Sequence, residues 1–242
     1  MTEKIRIGFV GTGGMGQCAH LKNYATLPEC EVVAIAELRP ELARRVAAKY
    51  SIPRVYPDHT TMLAAEQLDG IVASQDFGLH GVLVPELLKA GVPLFTEKPL
   101  AGSVAAGETI LEALAASGTW HMVGYHKRSD PATEYAKREI DRLKATGELG
   151  KLQYVRILMP AGDWAANGFT DLIDTGESVP PVEREAPASD MDAKTFSEYT
   201  SFVNYYIHQV NLMRHLLGEA YEVRYADKTG VLLVVESAGG VA

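Results

Sequence analysis

Apolar residues in the first half of the chain fall in short continuous runs. Residues 5–10, 31–36, 54–56, 70–74, 92–96 and 120–123 each read as a strand. The second run is too continuously apolar for a sheet with one wet face, so it belongs between two helical layers. Helix-compatible stretches separate the runs. One follows Gly16; others span 40–50, 60–66 and 80–90, the last closing at Gly91; an Ala-rich stretch can be capped by Ser103 and stopped near Gly118. This alternation predicts a parallel sheet with helices on both faces. Ligands of such sheets bind beyond the carboxyl ends of the strands.

The pattern changes after residue 123. Stretches 152–159, 221–225 and 230–236 read as strands, and 199–217 reads as a helix, apolar over most of its circumference through Val203, Ile207, Val210, Leu212, Met213, Leu216 and Leu217. Such a helix should be buried. Asn204, His208, Asn211 and His215 nevertheless recur at intervals of four, three and four, which sets them in one polar stripe. Buried amides and imidazoles need partners. Those partners are substrate hydroxyls if the stripe faces a cleft, or backbone and water if it faces a core. Residues 161–194 are loop-like, acidic and rich in Pro and Gly, with Asp171, Asp174, Glu177, Glu183 and Glu185 among them. That length exceeds a passive connection; it suits a lid, a reach to another subunit, or a disordered surface insertion.

The first strand runs directly into Gly11-Thr12-Gly13-Gly14-Met15-Gly16, a G-x-G-x-x-G turn. By itself this is a strand-to-helix turn of a common kind. In a dinucleotide site Gly11 makes the tight turn, Gly13 lets the backbone approach a pyrophosphate, and Gly16 lets the helix pack close to its strand. The pyrophosphate then meets unpaired amides at a helix N-terminus. Glu37, at the end of the second strand, stands where an acid can accept hydrogen bonds from the adenosine ribose. Its charge opposes a 2′-phosphate and favours NAD; Arg39, two residues on, keeps NADP as the lesser alternative.

Composition adds exclusions. The 242 residues are 47% hydrophobic and 22% charged, ordinary globular usage for two modest domains. A formal charge of −8, with no basic run, argues against nucleic acid as a partner. No apolar run approaches the roughly 20 residues of a membrane span, and Met1 leads almost directly into a strand, so a cytoplasmic protein without a signal peptide is expected. Cys18 and Cys30 read as free thiols of a reducing compartment. With no H-E-x-x-H and no cysteine cluster, no metal is expected.

Two further strand ends carry candidate chemistry. Ser74-Gln75-Asp76-Phe77, with His80, follows the fourth strand; Glu97-Lys98-Pro99 follows the fifth. Lys98 there either reaches cofactor and substrate, with Glu97 anchoring the turn, or forms a solvated turn with a weak ion pair. Together with the glycine loop, Glu37 and Gly124-Tyr125-His126-Lys127-Arg128, the E-K-P motif resembles the glucose-fructose oxidoreductase and inositol dehydrogenase family, Gfo/Idh/MocA. The resemblance implies an α/β protein. Its N-terminal Rossmann domain, a doubly wound parallel sheet over 1–123, would bind the dinucleotide. Its C-terminal α/β domain over 124–242, with an open, largely antiparallel sheet, would bind substrate and mediate homo-oligomer contacts. It also implies hydride transfer between NAD and a sugar, cyclitol or related polyol.

Carried over position by position, the resemblance makes Lys98 and His208 the catalytic pair. Gly11 to Gly16, Glu37, Ser74, Glu97 and Lys98 become the cofactor contacts. Asn204 stands where the family carries Asp, and an amide orients an imidazole without stabilising its charged form. Arg128, Trp164, Asn204 and Tyr206 are the substrate candidates. Arg128 has an equal structural reading beside the Asp130-Pro131 helix start, aromatic side chains such as Trp164 and Tyr206 are more often core, and His80 reads first as a satisfied helix-terminus residue. The second domain looks short of strands, as in a minimal oligomeric member or a fragment. Two other functions share the cofactor: an NAD-dependent glycosidase or lyase acting by transient oxidation, and a non-catalytic nucleotide-responsive regulator.

Overall fold

The computed structural model describes residues 3–158, 168–227, 229 and 232–242. The chain forms two compact units, Met1–Gly124 with Asp163–Ser189, and Tyr125–Gly162 with Asp190–Ala242.

The first unit is built on a six-stranded sheet in the order β3-β2-β1-β4-β5-β6. Its strands are β1 (Ile5–Val10), β2 (Cys30–Ala36), β3 (Arg54–Tyr56), β4 (Gly70–Ala73), β5 (Leu94–Thr96) and β6 (His121–Val123). Every pairing is parallel. The order reverses between β1 and β4, and a crevice opens at the carboxyl ends of those strands. Apolar side chains fill both faces. One core joins Val33, Met62, Leu87, Leu94 and Ile110; the other joins Phe9, Leu21, Ile35, Leu42 and Val46. The helices start and stop where capping chemistry dictates. Helix α2 (Pro40–Tyr50) has Pro at its first turn; α3 (His59–Ala65) has Asp58 accepting the Thr61 amide at 2.7 Å. Helix α4 (His80–Leu88) leads towards β5, and α5 (Val104–Ser117) runs from the Ser103 cap to Gly118 at φ 69°.

The helix after the glycine loop departs from a regular α-helix. Gly16–Leu21 winds as a π-helix and continues into α1 (Lys22–Tyr24). The wider turn coincides with Gln17, whose side chain is buried and donates to Thr12 O at 2.8 Å and Ile173 O at 3.1 Å. The acidic segment is also no free insertion. Its part within Asp163–Ser189 groups with the first unit, and Ile173 packs on the Phe9 core.

In the second unit, α6 (Pro131–Thr146) starts at Asp130, which accepts the Ala132 and Thr133 amides at 3.0 and 3.1 Å. Helix α7 (Ala193–Leu217) begins before the expected residue 199, because Asp192 caps it through Thr195 N at 2.7 Å. Strands β7 (Tyr221–Ala226) and β8 (Leu233–Ser237) form an antiparallel pair. Residues 152–158, expected as a strand, do not form one; their backbone meets the chain end through Val155 N to Ala242 O at 2.9 Å and Ala242 N to Gln153 O at 3.2 Å. Residue 159 of that stretch lies outside the described residues. The expected burial of α7 is also corrected: only Val203 and Leu217 are buried on it, its packing partners among the described residues being chiefly the short turn His126–Ser129 and α6. No helix among the described residues is long and apolar enough to cross a membrane.

Candidate functional site

The glycines differ in what surrounds them. Gly11 adopts φ +83°, and its amide donates to Ala36 O at 2.8 Å, turning the chain off β1 across the end of β2. A Cβ at Gly16 would lie 2.8 Å from Gly11 O, so only hydrogen lets the helix start this close to the loop. A Cβ at Gly13 would meet nothing nearer than Arg39 Nη2 at 3.9 Å, and one at Gly14 nothing within 4 Å. The middle of the loop is therefore open to a ligand. Met15 is half-buried and Thr12 fully buried.

Glu37 is buried against this loop. Its carboxylate accepts Thr12 N at 2.8 Å, Thr12 Oγ1 at 3.0 Å, Arg39 Nε at 2.7 Å and Arg39 Nη2 at 3.1 Å. Burial raises its pKa, but the hydrogen bonds and charge of Arg39 and the Thr12 amide outweigh that and hold it below the usual carboxylate value. Arg39 is thereby committed to Glu37, the residue meant to favour NAD, rather than offered to a 2′-phosphate. That pairing was not visible in the sequence.

Gly11, Gly13, Glu37 and Arg39 line a cavity of about 540 Å³ at the switch point, together with Ser74 and Gln75. Its volume falls in the range of small-molecule sites, roughly 300–1,000 Å³. Ser74 Oγ and Gln75 Oε1 are buried there without a hydrogen-bond partner among the described residues. Buried polar atoms normally have partners; the Ser74 hydroxyl can donate to a phosphate and Gln75 Oε1 can accept from a hydroxyl, so an open glycine cradle beside them fits a ligand that carries both phosphate and hydroxyl groups.

Glu97 and Lys98 stand at the carboxyl end of β5, and the Lys98–Pro99 peptide is cis. His20 Nε2 donates to Glu97 Oε1 at 2.6 Å, and Glu97 Oε2 accepts the Lys98 amide at 3.2 Å. Burial raises the Glu97 pKa, but His20 and the Lys98 amide bring it net down. Burial pushes the Lys98 ammonium down, and Glu97 only partly restores it. The turn is not a solvated surface pair. His80 Nδ1 donates to Pro99 O at 2.9 Å from beneath, with His80 only 1% exposed. His20 and Gln17 were missed in the sequence; three residues apart beside buried Leu21, they mark a polar face turned inward on the first helix.

In the second unit, Arg128 Nε donates to Asn211 Oδ1 at 2.7 Å, and the rings of His126 and His208 meet at 4.7 Å between centroids. Tyr206 is half-buried, with its ring against Phe202 and Tyr205 at 5.2 Å each, and Asn204 is exposed one turn before His208. Trp164 lies outside the described residues.

The model of an oxidoreductase family with an NAD-binding Rossmann fold, Gfo/Idh/MocA, matches residues 5–125. The chain belongs to the Gfo/Idh/MocA family. Among its relatives, an inositol 2-dehydrogenase of Acidothermus cellulolyticus is 33% identical over 57% of this chain and 41% of that protein. The scyllo-inositol 2-dehydrogenase (NAD(+)) of Bacillus subtilis is 27% identical over 90% of this chain and 55% of its own. This Gfo/Idh/MocA chain thus spans about half the length of the relatives it matches. In fold it resembles the Lactobacillus casei myo-inositol dehydrogenase solved with NAD(H) and myo-inositol, with TM-score 0.69 and 20% identity, covering 99% of this chain and 66% of that one. The myo-inositol 2-dehydrogenase of Lactobacillus plantarum gives TM-score 0.70 at 17% identity, covering 99% and 68%. The region matched by the Gfo/Idh/MocA model contains the glycine loop, Glu37, Ser74 and the Glu97-Lys98-Pro99 turn.

Proposed function

We propose that the chain is an NAD-dependent oxidoreductase that moves a hydride between nicotinamide and a carbinol or carbonyl carbon of a polyol, a cyclitol in particular. The observation that carries this reading is the open cradle at Gly13 and Gly14 beside the unpartnered oxygens of Ser74 and Gln75, in a member of an NAD-binding oxidoreductase family. The cyclitol class is supported by the inositol dehydrogenases among the relatives. The Glu37 charge and the commitment of Arg39 to it support NAD over NADP.

Bound NAD would supply the hydride acceptor. The amides of the glycine loop would hold its pyrophosphate, and Ser74 would give a further polar contact. Lys98, its ammonium destabilised by burial, gives up a proton more readily than an exposed lysine and can manage the proton of a substrate hydroxyl. Glu97 positions it through the Lys98 amide. His208 is the second proton carrier, and Asn204 lacks the charge with which a carboxylate would support an imidazolium. Arg128 can offer the substrate the guanidinium N–H groups not given to Asn211, and Tyr206 and Trp164 an aromatic face. Association of chains through the β7–β8 sheet belongs to the same reading, since Val223 and Tyr225 are 58% and 54% exposed. A cytoplasmic location, with its free thiols and dinucleotide pool, suits it.

The test follows nicotinamide absorbance when the protein is mixed with NAD and a panel of cyclitols and sugars. We expect turnover of a cyclitol, and in Lys98→Met a loss of about 100-fold or more in turnover at saturating NAD, beyond any weakening of NADH binding. The rate of the parent protein should rise with pH along a limb lying below the ordinary lysine value of 10.5. NAD binding without turnover of any panel member, together with unaltered behaviour of Lys98→Met, would defeat the proposal.

A further inference from the structure

The acidic segment after residue 168 crosses the first unit in a specific way. At one end, Lys49 Nζ donates to Asp171 O at 2.7 Å, and Gln17 holds Ile173 by both its amide hydrogen and its carbonyl, at 3.0 and 3.1 Å. Next, the Glu177 carboxylate accepts the Glu41 and Leu42 amides, at 3.2 and 2.8 Å, at the N-terminus of α2. At the other end, Arg184 donates to Asp76 at 2.6 Å, Glu185 N donates to Gly78 O at 2.8 Å, and the Glu185 carboxylate accepts Gly81 N at 2.7 Å and Gly102 N at 2.9 Å. Helix α2 follows β2 and helix α4 follows β4. The segment is therefore tied to loops on opposite sides of the switch point, with amides at the N-terminal turns of α2 and α4 among the tying groups.

Between the ties lies Ser178-Val179-Pro180-Pro181-Val182-Glu183, in which two prolines offer no N–H. Val179 and Val182 line the same cavity as Gly11, Gly13, Glu37 and Ser74, with Leu79 and Val82 also on its wall. The two valines are 54% and 37% exposed although they belong to a well-tied segment. Apolar side chains and a polar glycine cradle on the wall of one cavity suit a ligand with a flat apolar base and a phosphate tail. We propose that Asp171–Glu185 is a strap that completes the adenosine end of the dinucleotide site, Val179 and Val182 covering the adenine and the Glu177 and Glu185 ties retaining the bound cofactor. This rests on the NAD reading above.

The experiment measures NADH and ADP-ribose binding to the full chain by fluorescence titration and competition, and NADH release by stopped flow. Its variants are the double substitution Val179→Ser with Val182→Ser, and Glu185→Gln. The exposed valines can be replaced without touching the core, and thermal melting checks that the fold is retained. We expect the double variant to weaken NADH and ADP-ribose by the same factor, roughly tenfold, because the strap contacts only the half that the two ligands share. Glu185→Gln should speed NADH release by roughly fivefold or more, as a charge-assisted tie becomes a neutral one. Parent protein that binds NADH, with folded variants unchanged in affinity and release, would overturn the strap alone. Failure of the parent protein to bind either ligand would overturn the cofactor reading and the strap with it.

Discussion

Replacing Glu37 by Gln keeps the shape of the side chain and removes its charge. The best orientation of the amide leaves its oxygen towards Thr12 N, Thr12 Oγ1 and Arg39 Nη2, at 2.8, 3.0 and 3.1 Å. Its NH₂ group then faces Arg39 N and Arg39 Nε, at 3.2 and 2.7 Å, donor against donor. Two charge-assisted hydrogen bonds are lost, one of them between opposite charges, and Arg39, 20% exposed, loses its counter-charge. Charge-assisted bonds contribute about 1.5–3 kcal/mol each, and breaking a buried pair costs about 3–5 kcal/mol. The remaining exposure of Arg39 puts Glu37→Gln near the lower end, about 3 kcal/mol. At about 2–4 °C per kcal/mol for a chain of this size, the melting temperature should fall by about 6–12 °C. The sign with pH follows from the folded-state pKa of Glu37 lying below its ordinary 4.5. Its contribution is fully present above about pH 4.5 and is lost as pH falls through the folded value. Protonated Glu37 is close to a Gln in bonding capacity, so the melting curves of the two proteins should converge on acidification. Circular dichroism melts from about pH 7 down to about pH 3 would check this. Equal stability at neutral pH, or a gap that persists unchanged in acid, would refute the reasoning.

The same substitution should raise the ratio of NADP to NAD affinity by about tenfold or more, measured by NADPH and NADH titration, since it removes a negative charge and releases Arg39. Gly13→Ala and Gly16→Ala should separate binding from folding. The first meets open space, so stability should stay within about 0.5 kcal/mol while NADH affinity falls at least about tenfold; the second drives a Cβ to 2.8 Å from Gly11 O and should cost about 1–3 kcal/mol in chemical denaturation.

Much of the fold was legible because its causes are local. Ser103 and Asp130 cap helices through amides two or three residues away, so each start was marked by a side chain beside it. The continuous apolar run at Val32–Ala36 required cover on both faces, and a parallel, doubly wound sheet supplies it. The G-x-G-x-x-G spacing named the turn, and the fold separates its two uses: Gly16 for packing, Gly13 and Gly14 for open space. Less legible was the second half, where half-burial gave weak periodicity. Residues 152–158 have the composition of a strand, yet a strand needs a paired neighbour, and among the described residues their backbone pairs with Ala242.

By itself, then, the amino-acid order determined the succession of strands and helices, the parallel sheet and the presence of a glycine cradle, because capping, periodicity and turn chemistry act over a few residues. Tertiary structure alone decided which polar groups meet. Gln17 reaches Ile173 across 156 positions, Glu185 reaches Gly81 across 104, and His20 reaches Glu97 across 77. No local propensity encodes such pairs, since each arises only when sheet order brings distant loops to one edge. The segment that composition offered as lid, arm or loose insertion became a wall of the cavity in the same way. Its carboxylates found helix N-termini that exist only after the sheet has formed.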